Sequence, residues 1–309
     1  MANRIRVSSV SMYGSPKGSS SEVVRENLSK TLKLLELASY DEPDLVVLTE
    51  GFSTRGLPLR VAVKMAQELE GEVVTTIARA AAEYGTYIVC PLYLREGGRV
   101  FNSAVLLDDG GRVAGVYHKM FPTIREIEAG ITPGSEPGVF DTRFGKLGVV
   151  ICFDVNFDEP FREFESRGVK LVAFPSAFPG GMLLPLRAIH GKFYLVSAVW
   201  EGESVIVDPL GRVLARSSTY DPVITAEINL DFMVLHLDYN YLKFPQLKKR
   251  FGKNVRVRVS RPEALVLISS EADLSMSEIA AKLGLEERDE YFDRSRRIIE
   301  EARSAANQQ

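Results

Sequence analysis

"LLDDGGRV", residues 106–113, runs apolar, meets an aspartate, turns through glycines and resumes with a basic and an apolar residue; "VIVDPLGRV", residues 205–213, repeats that order. Aspartate supplies a local acceptor and glycine a positive φ, so each stretch predicts two antiparallel strands joined by a tight turn. Working outward from these hairpins aligns the rest of the chain. Asp44-Leu45-Val46-Val47 faces Lys170-Leu171-Val172-Ala173, and each half reads strand, helix, strand, helix, strand, hairpin. The first half runs "IRVSSVSM" (5–12), a helix over 21–37 with Val24, Leu28, Leu32 and Leu35 on one face, and "DLVVLTEGF" (44–52). Two helical stretches follow, the second carrying Val73, Ile77, Ala80 and Tyr84 up to Gly85, then "TYIVCPLYL", "SAVLLDD" and "RVAGVYHK". After a linker over 133–138 the second half runs "KLGVVICF", a helix near 159–167, "KLVAFPSAF", a helix near 182–191, "FYLVSAV" and its hairpin. This reads as an internal duplication, the simpler alternative being two unrelated halves that share a turn. Two such halves predict an α/β fold, an α-β-β-α sandwich with two sheets face to face and helices outside.

The chain has 309 residues, 45% of them hydrophobic and 26% charged, enough for a large soluble core. Residues 1–231 hold the duplicated domain, and 232–309 form a C-terminal helical extension outside the repeat. A net charge of -3 offers no overall attraction to nucleic acid or to anionic membrane, so neither partner is expected. The start lacks the apolar core of a secretion signal and no stretch approaches the ~20 apolar residues of a membrane span, which predicts a cytoplasmic protein. The two cysteines, Cys90 and Cys152, cannot make a disulfide framework. His118, His190 and His236 lie far apart and in no metal-binding spacing, so no metal is expected.

Chemistry concentrates at "GVVICFDVNFDEP" (148–160), where an apolar strand gives way to Cys152, Phe153, Asp154 and Asn156. Strand ends in α/β sheets are where loops converge into ligand crevices. A cysteine nucleophile needs a base for its proton and a donor for the developing oxyanion. Nothing in the sequence positions any of the three histidines as that base. A lone strand-end cysteine is more often a small buried apolar residue, and that description suits Cys90, which falls where Ser197 stands in the other half. Taken singly, Lys119 reads as a surface hairpin charge and Glu50 as an exposed carboxylate.

Three stretches together say more. "VVLTEGF" holds Glu50, "GVYHKMFPT" holds Lys119 and "LGVVICFDVNF" holds Cys152, and in that order they resemble the Glu-Lys-Cys signature of the nitrilase superfamily, the carbon-nitrogen hydrolases. The resemblance continues through "GITPG" (130–134), "PSAFPGG" (175–181), "RAI" (187–189) and "VDPLGRVLA" (207–215), covering about residues 4–231. It implies Glu50 as general base, Cys152 as nucleophile, and Lys119 with the backbone N–H of Phe153 around the oxyanion, with no cofactor. It also implies a second glutamate between lysine and cysteine: Glu126 is preferred to Glu128 by its offset from the Pro-Gly turn. Asn156, Ser176 and Ala177 are pocket candidates by strand-end placement. Members of the superfamily associate through a face of the sandwich, which implies a homodimer or higher homo-oligomer with the extension as a subunit contact.

The expected reaction is hydrolysis of a small-molecule amide to carboxylic acid and ammonia through a cysteine thioester. Nitrile-cleaving relatives commonly carry Trp-Glu after the cysteine, whereas this chain has Phe153-Asp154, so nitrilase and N-carbamoyl (ureido) hydrolase are the alternatives. A catalytically silent binding protein on the same fold is the third, because "GGMLLPLRAIHGK" is short and puts His190 and Gly191 where relatives have Glu-Asn. Arg55 and Arg125 could hold a substrate carboxylate, though each reads more simply as a solvated loop charge. In the extension, "SMSEIAAKLGL" predicts a helix with Ser277 as N-cap and Gly284 as stop. The next helix mixes acids with arginines, unlike a DNA-reading helix, and "SAANQQ" is expected to be disordered.

Overall fold

The computed structural model describes residues 3–307 and divides into two units: Ile5–Ile228, and the chain from Asn229 onward together with the residues before Ile5. The first half of the larger unit comprises β1 (Arg4–Val10), α1 (Ser20–Ser39), β2 (Leu45–Val47), α2 (Leu59–Lys64), α3 (Glu72–Tyr84), β3 (Tyr87–Glu96), β4 (Arg99–Leu107), β5 (Val113–His118) and α4 (Ile124–Glu128). The second half comprises β6 (Gly138–Thr142), β7 (Gly145–Val149), α5 (Glu159–Ser166), β8 (Leu171–Ser176), α6 (Leu183–Gly191), β9 (Tyr194–Val199), β10 (Val205–Val207), β11 (Val213–Arg216) and β12 (Val223–Asn229).

Two six-stranded sheets result, ordered β12-β1-β2-β3-β4-β5 and β6-β7-β8-β9-β10-β11. Position for position the orders match, and so do the directions of the central strands: β1, β2 and β3 run parallel, as do β7, β8 and β9. Leu45 pairs with Tyr87 and Leu171 with Tyr194, the same register in both halves. The two hairpin turns are also alike atom by atom. Asp108 Oδ1 accepts the N–H of Gly110 (2.9 Å) and Arg112 (2.8 Å); Asp208 Oδ1 accepts those of Leu210 (2.9 Å) and Arg212 (3.0 Å). Gly111 and Gly211 supply the left-handed residue, at φ +74° and +76°.

Between the sheets Ser9 Oγ donates to the Ser197 carbonyl at 2.6 Å. On the outer face of the first sheet, Leu28 and Leu35 of α1 and Val73, Val74 and Ile77 of α3 pack on Val46, Ile88, Cys90 and Val105. On the outer face of the second, Phe161 and Phe164 of α5 and Leu184 and Ala188 of α6 pack on Val172, Phe174 and Leu195. Each fully buried aliphatic or aromatic side chain of this kind stabilises by roughly 1.5–3 kcal/mol. The layers are therefore α-β-β-α. The strand expected through Phe153 stops at Val149, because the chain leaves the ladder for a tight turn over Cys152–Asn156.

The smaller unit has β13 (Phe232–His236), α7 (Phe244–Phe251), β14 (Val255–Ser260), β15 (Leu265–Ser270), α8 (Met276–Leu283) and α9 (Arg288–Ala306). Its sheet is antiparallel in the order β13-β15-β14 and packs Leu235, Val266 and Ile268 against Leu247 of α7 and Ile279 of α8. The cap of α8 is Ser275 rather than Ser277: Ser275 Oγ accepts the Glu278 N–H at 3.3 Å and the Glu278 carboxylate accepts the Ser275 N–H at 2.8 Å. Ser304, Ala305 and Ala306 continue α9 instead of being disordered; Gln308 and Gln309 lie outside the described residues. Among the described residues, no helix is long and apolar enough to cross a membrane.

Candidate active site

Four turns bring the predicted side chains together. After β2, Leu48 still donates to Val89 (3.1 Å), and Gly51 at φ +53° then turns the chain so that Glu50 is buried. Lys119 follows β5; its N–H donates to the Asn102 carbonyl and its own carbonyl accepts the Gly134 N–H, both at 2.8 Å. Glu126 stands in the single turn of α4, whose capping threonine gives its N–H to Glu126 Oε2 at 2.7 Å and takes the Glu126 N–H on Oγ1 at 3.3 Å. Cys152 follows β7 at φ +50°, a left-handed conformation that costs a non-glycine residue about 1–2 kcal/mol.

Lys119 is 1% exposed and lies between the two carboxylates. Its Nζ is 3.0 Å from Glu50 Oε1, 3.1 Å from Glu126 Oε1 and 2.9 Å from Glu126 Oε2. Asn102 Nδ2 also touches both, at 2.8 Å to Glu50 Oε1 and 2.7 Å to Glu126 Oε1. Every acceptor position of Glu126 is thus filled by Lys119, Asn102 and the Thr123 N–H. Glu50 differs: Oε1 takes Lys119 and Asn102, while Oε2, among the described residues, takes only the Ala177 N–H at 2.8 Å and keeps one acceptor position open.

Charges follow the geometry. Burial opposes the Lys119 ammonium, yet the carboxylates of Glu50 and Glu126, both within 3.0 Å, outweigh it and hold the amine above its ordinary pKa. Burial opposes the Glu126 carboxylate too, and Lys119 with the Thr123 and Asn102 donors outweighs it, so Glu126 lies below the usual carboxylate value. Burial and the Glu50 charge push the Cys152 thiol up to about 12, against the opposite pull of Lys119, Ser176 and the Ala177 N–H. The resting cysteine is therefore a thiol, and an attack needs a base at hand.

Glu50, Lys119 and Glu126 form one hydrogen-bonded group, with Cys152 in electrostatic contact with Glu50 and Lys119. Ser176 and Ala177 border the same cysteine, and Ser176 Oγ also accepts the Phe178 N–H at 3.1 Å. Glu128 is exposed. Phe153 is partly exposed beside Cys152, and Asn156 is exposed and gives its amide to the Phe153 carbonyl at 2.9 Å. Both ring nitrogens of His118 are engaged elsewhere, Nδ1 with Ser103 at 2.8 Å and Nε2 with Glu96 at 2.9 Å. Cys90 is fully buried, its thiol raised by burial alone. Arg125 is exposed, but Arg55 is no solvated loop charge: only 3% exposed, it donates to the Gly14 carbonyl (2.9 Å) and Glu201 (2.6 Å) and stacks over Trp200.

Two residues of the group were missed from sequence. Asn102 is one, and its signal was a buried amide in an apolar strand. Asp154 is the other: fully buried, it accepts the Ile151 N–H (2.8 Å) and the Tyr117 hydroxyl (2.7 Å) on Oδ2 and the Phe121 N–H (2.9 Å) on Oδ1. It thereby ties the cysteine turn to the segment around Lys119, and burial raises its pKa to about 6.

Residues 10–234 match the family model described as carbon-nitrogen hydrolase. The chain belongs to the carbon-nitrogen hydrolase family. It is 35% identical over 229 residues to a nitrilase of Pyrococcus abyssi, covering 66% of this chain and 84% of that one. To the omega-amidase NIT2 of Xenopus tropicalis it is 27% identical over 244 residues, 69% of this chain and 86% of the relative. Among solved structures, an amidase from Nesterenkonia sp. is similar with a TM-score of 0.65 at 25% identity, over 73% of this chain and 90% of that one. Nit3 of Saccharomyces cerevisiae shares the fold at the same TM-score and coverage with 22% identity. This carbon-nitrogen hydrolase is accordingly an enzyme of the nitrilase superfamily, with a cysteine in its hydrolytic signature.

Proposed function

We propose that the protein hydrolyses a small-molecule amide to a carboxylic acid and ammonia, with Cys152 as nucleophile, Glu50 as general base and acid, and Lys119 as the charged oxyanion donor. The observation that carries this reading is the open acceptor position on Glu50 Oε2 in a group whose other carboxylate, Glu126, is saturated. Glu50 takes the thiol proton as sulfur attacks the carbonyl carbon, a transfer worth roughly 10²–10⁴-fold. The tetrahedral oxyanion is held by Lys119 and the Phe153 N–H, and loss of one such donor costs about 10²–10³-fold in rate. Glu50 returns its proton to the departing nitrogen as the C–N bond breaks, leaving a Cys152 thioester and ammonia. Water, deprotonated by Glu50, then attacks the thioester; the acid leaves and the thiol regains its proton.

Glu126, with no acceptor position left, acts as fixed negative charge that keeps Lys119 an ammonium. The amide is preferred to the nitrile because Phe153-Asp154 follows the cysteine, and the amidases among similar proteins support it. The nitrilase name of the Pyrococcus abyssi relative supports nitrile cleavage as the second reading. The test is ammonia release from amides, carbamoyl amino acids and nitriles by the protein and by Cys152→Ala. Release from amides that vanishes in the variant is expected. Release from nitriles alone would replace the amidase reading, and silence on every class would favour a binding protein.

A further inference from the structure

Asn102 sits at the centre of the group without being accounted for by the fold. Its carbonyl receives the Lys119 N–H at 2.8 Å, and its single amide nitrogen spans the two glutamates at 2.8 and 2.7 Å. Its own Oδ1 is buried and has no hydrogen-bond partner among the described residues. Chemistry fixes this orientation, since the flipped amide would aim its oxygen at two carboxylates. Both contacts of its side chain are made by the nitrogen and both fall on carboxylates, so it is the donor end that needs an explanation. What it does is bring two negative charges onto one ammonium: Lys119 alone must divide its protons between Glu50 and Glu126, and Asn102 adds one donor to each without adding charge. Because both of its contacts fall on Oε1 atoms, it also decides which oxygen of Glu50 stays open.

We propose that Asn102 is a positioning residue, a neutral clasp that holds Glu50 and Glu126 against Lys119 so that Glu50 offers its Oε2 to Cys152. This rests on the reading of Glu50 as the base. A leucine at 102 keeps the branched shape, with bulkier ends, and removes the clasp. An aspartate removes the donors and sets three carboxylates on one ammonium. Asn102→Asp combined with Glu126→Gln exchanges amide and carboxylate, restoring both the charge count and a donor between the two acids.

The experiment measures kcat and KM on the best amide, and independently the rate at which iodoacetamide alkylates Cys152, followed by mass spectrometry. For Asn102→Leu the expected result is a fall in kcat of about 10²-fold, the size of a small misplacement of reacting groups, with KM nearly unchanged and alkylation slowed in parallel. Asn102→Asp is expected to fall further, and the exchanged pair to recover about tenfold over it, a non-additivity that contacting residues show. A kcat and alkylation rate within threefold of the parent, a change confined to KM, or a pair no better than Asn102→Asp overturns the proposal. Should Asn102→Leu fail to fold, the aspartate variant and the pair decide alone. If no amide is turned over, the amidase reading falls while the alkylation rates still judge the clasp.

Discussion

Gly134 closes the "GITPG" stretch, and the structure gives it a steric reason that can be tested. A Cβ built there would lie 2.1 Å from the His118 carbonyl oxygen, 2.8 Å from its carbon and 2.9 Å from the His118 Cβ. Real Cβ contacts essentially never fall below 3.0 Å, so Gly134→Ala must part the two segments. The parting is about 1 Å, a misplacement of the size that costs on the order of 10²-fold in catalysis. It falls where it matters, because Gly134 holds the Lys119 carbonyl at 2.8 Å and the Asn102 carbonyl holds the Lys119 N–H. Overpacking of this kind also destabilises by about 1–3 kcal/mol. The assay is kcat/KM for ammonia release beside the urea midpoint, with Gly130→Ala as control. Gly130 has φ +99° and open space around it, so its substitution strains the backbone without pressing on the lysine segment. The expected pattern is a loss of stability in both variants and about a 10²-fold loss of kcat/KM in Gly134→Ala alone. Gly134→Ala with kcat/KM and midpoint near those of the parent, or Gly130→Ala equally crippled, refutes the reasoning.

Lys119→Met strands two buried carboxylates and should destabilise by about 3–5 kcal/mol at pH 7. In the parent, Glu126 has a depressed pKa, so its contribution is present above the unfolded value and lost as pH falls through the folded one. Without the ammonium, burial works against only the Thr123 and Asn102 donors and the folded pKa lies above the parent's; the gap between parent and variant in urea midpoint should therefore shrink from pH 8 toward pH 5, and a constant gap would contradict the account. At Cys152, φ +50° favours glycine, so Cys152→Gly should be more stable than Cys152→Ala by about 1 kcal/mol, the reverse of the usual order. Calorimetry that ranks alanine above glycine would remove the strain. Iodoacetamide should label the folded protein once, at Cys152, and reach Cys90 only after denaturation, since Cys90 is fully buried; two adducts on the folded protein would show that Cys90 is accessible.

The architecture was open to sequence reasoning because its strongest signals are local. The aspartate and glycine of each hairpin make their contacts within five residues, so "LLDDGGRV" and "VIVDPLGRV" look alike wherever they are placed. Central strands buried on both faces read as unbroken apolar runs, and α1 shows its packed stripe at helical spacing. What failed also failed locally. Ser277 and Ser275 both stand near the start of α8, and only the reach of Glu278 back to Ser275 separates them. The strand read through Phe153 ends early because Asp154 turns back on the Ile151 N–H, and an apolar run cannot announce that.

At the site the division between what could and could not be read follows the distance along the chain between partners. Glu50, Lys119 and Cys152 each carry a recognisable flanking motif, so three separate segments could be read without knowing that they meet. Asn102 carries none, since a polar residue in a buried strand says that a partner exists and not which one, and Asp154, although it stands inside the cysteine motif, names no partner either. Asn102 meets Glu50 only because β4 pairs with β3 while Glu50 follows β2 in the same sheet, and Asp154 meets Tyr117 only because the sheets of two different halves lie together. Arg55 was misjudged for the same reason, since Glu201 and Trp200, which bury it, come from the opposite half. The duplication thus does more than build two similar sheets. Each half contributes groups whose burial is tolerable only once the other half is present, with Cys152 and Ala177 from the second half completing Glu50 and Lys119 from the first. Lys119 and both of its acids stand in the first half, and the second half brings the Ala177 N–H and the cysteine to the one carboxylate oxygen they leave open.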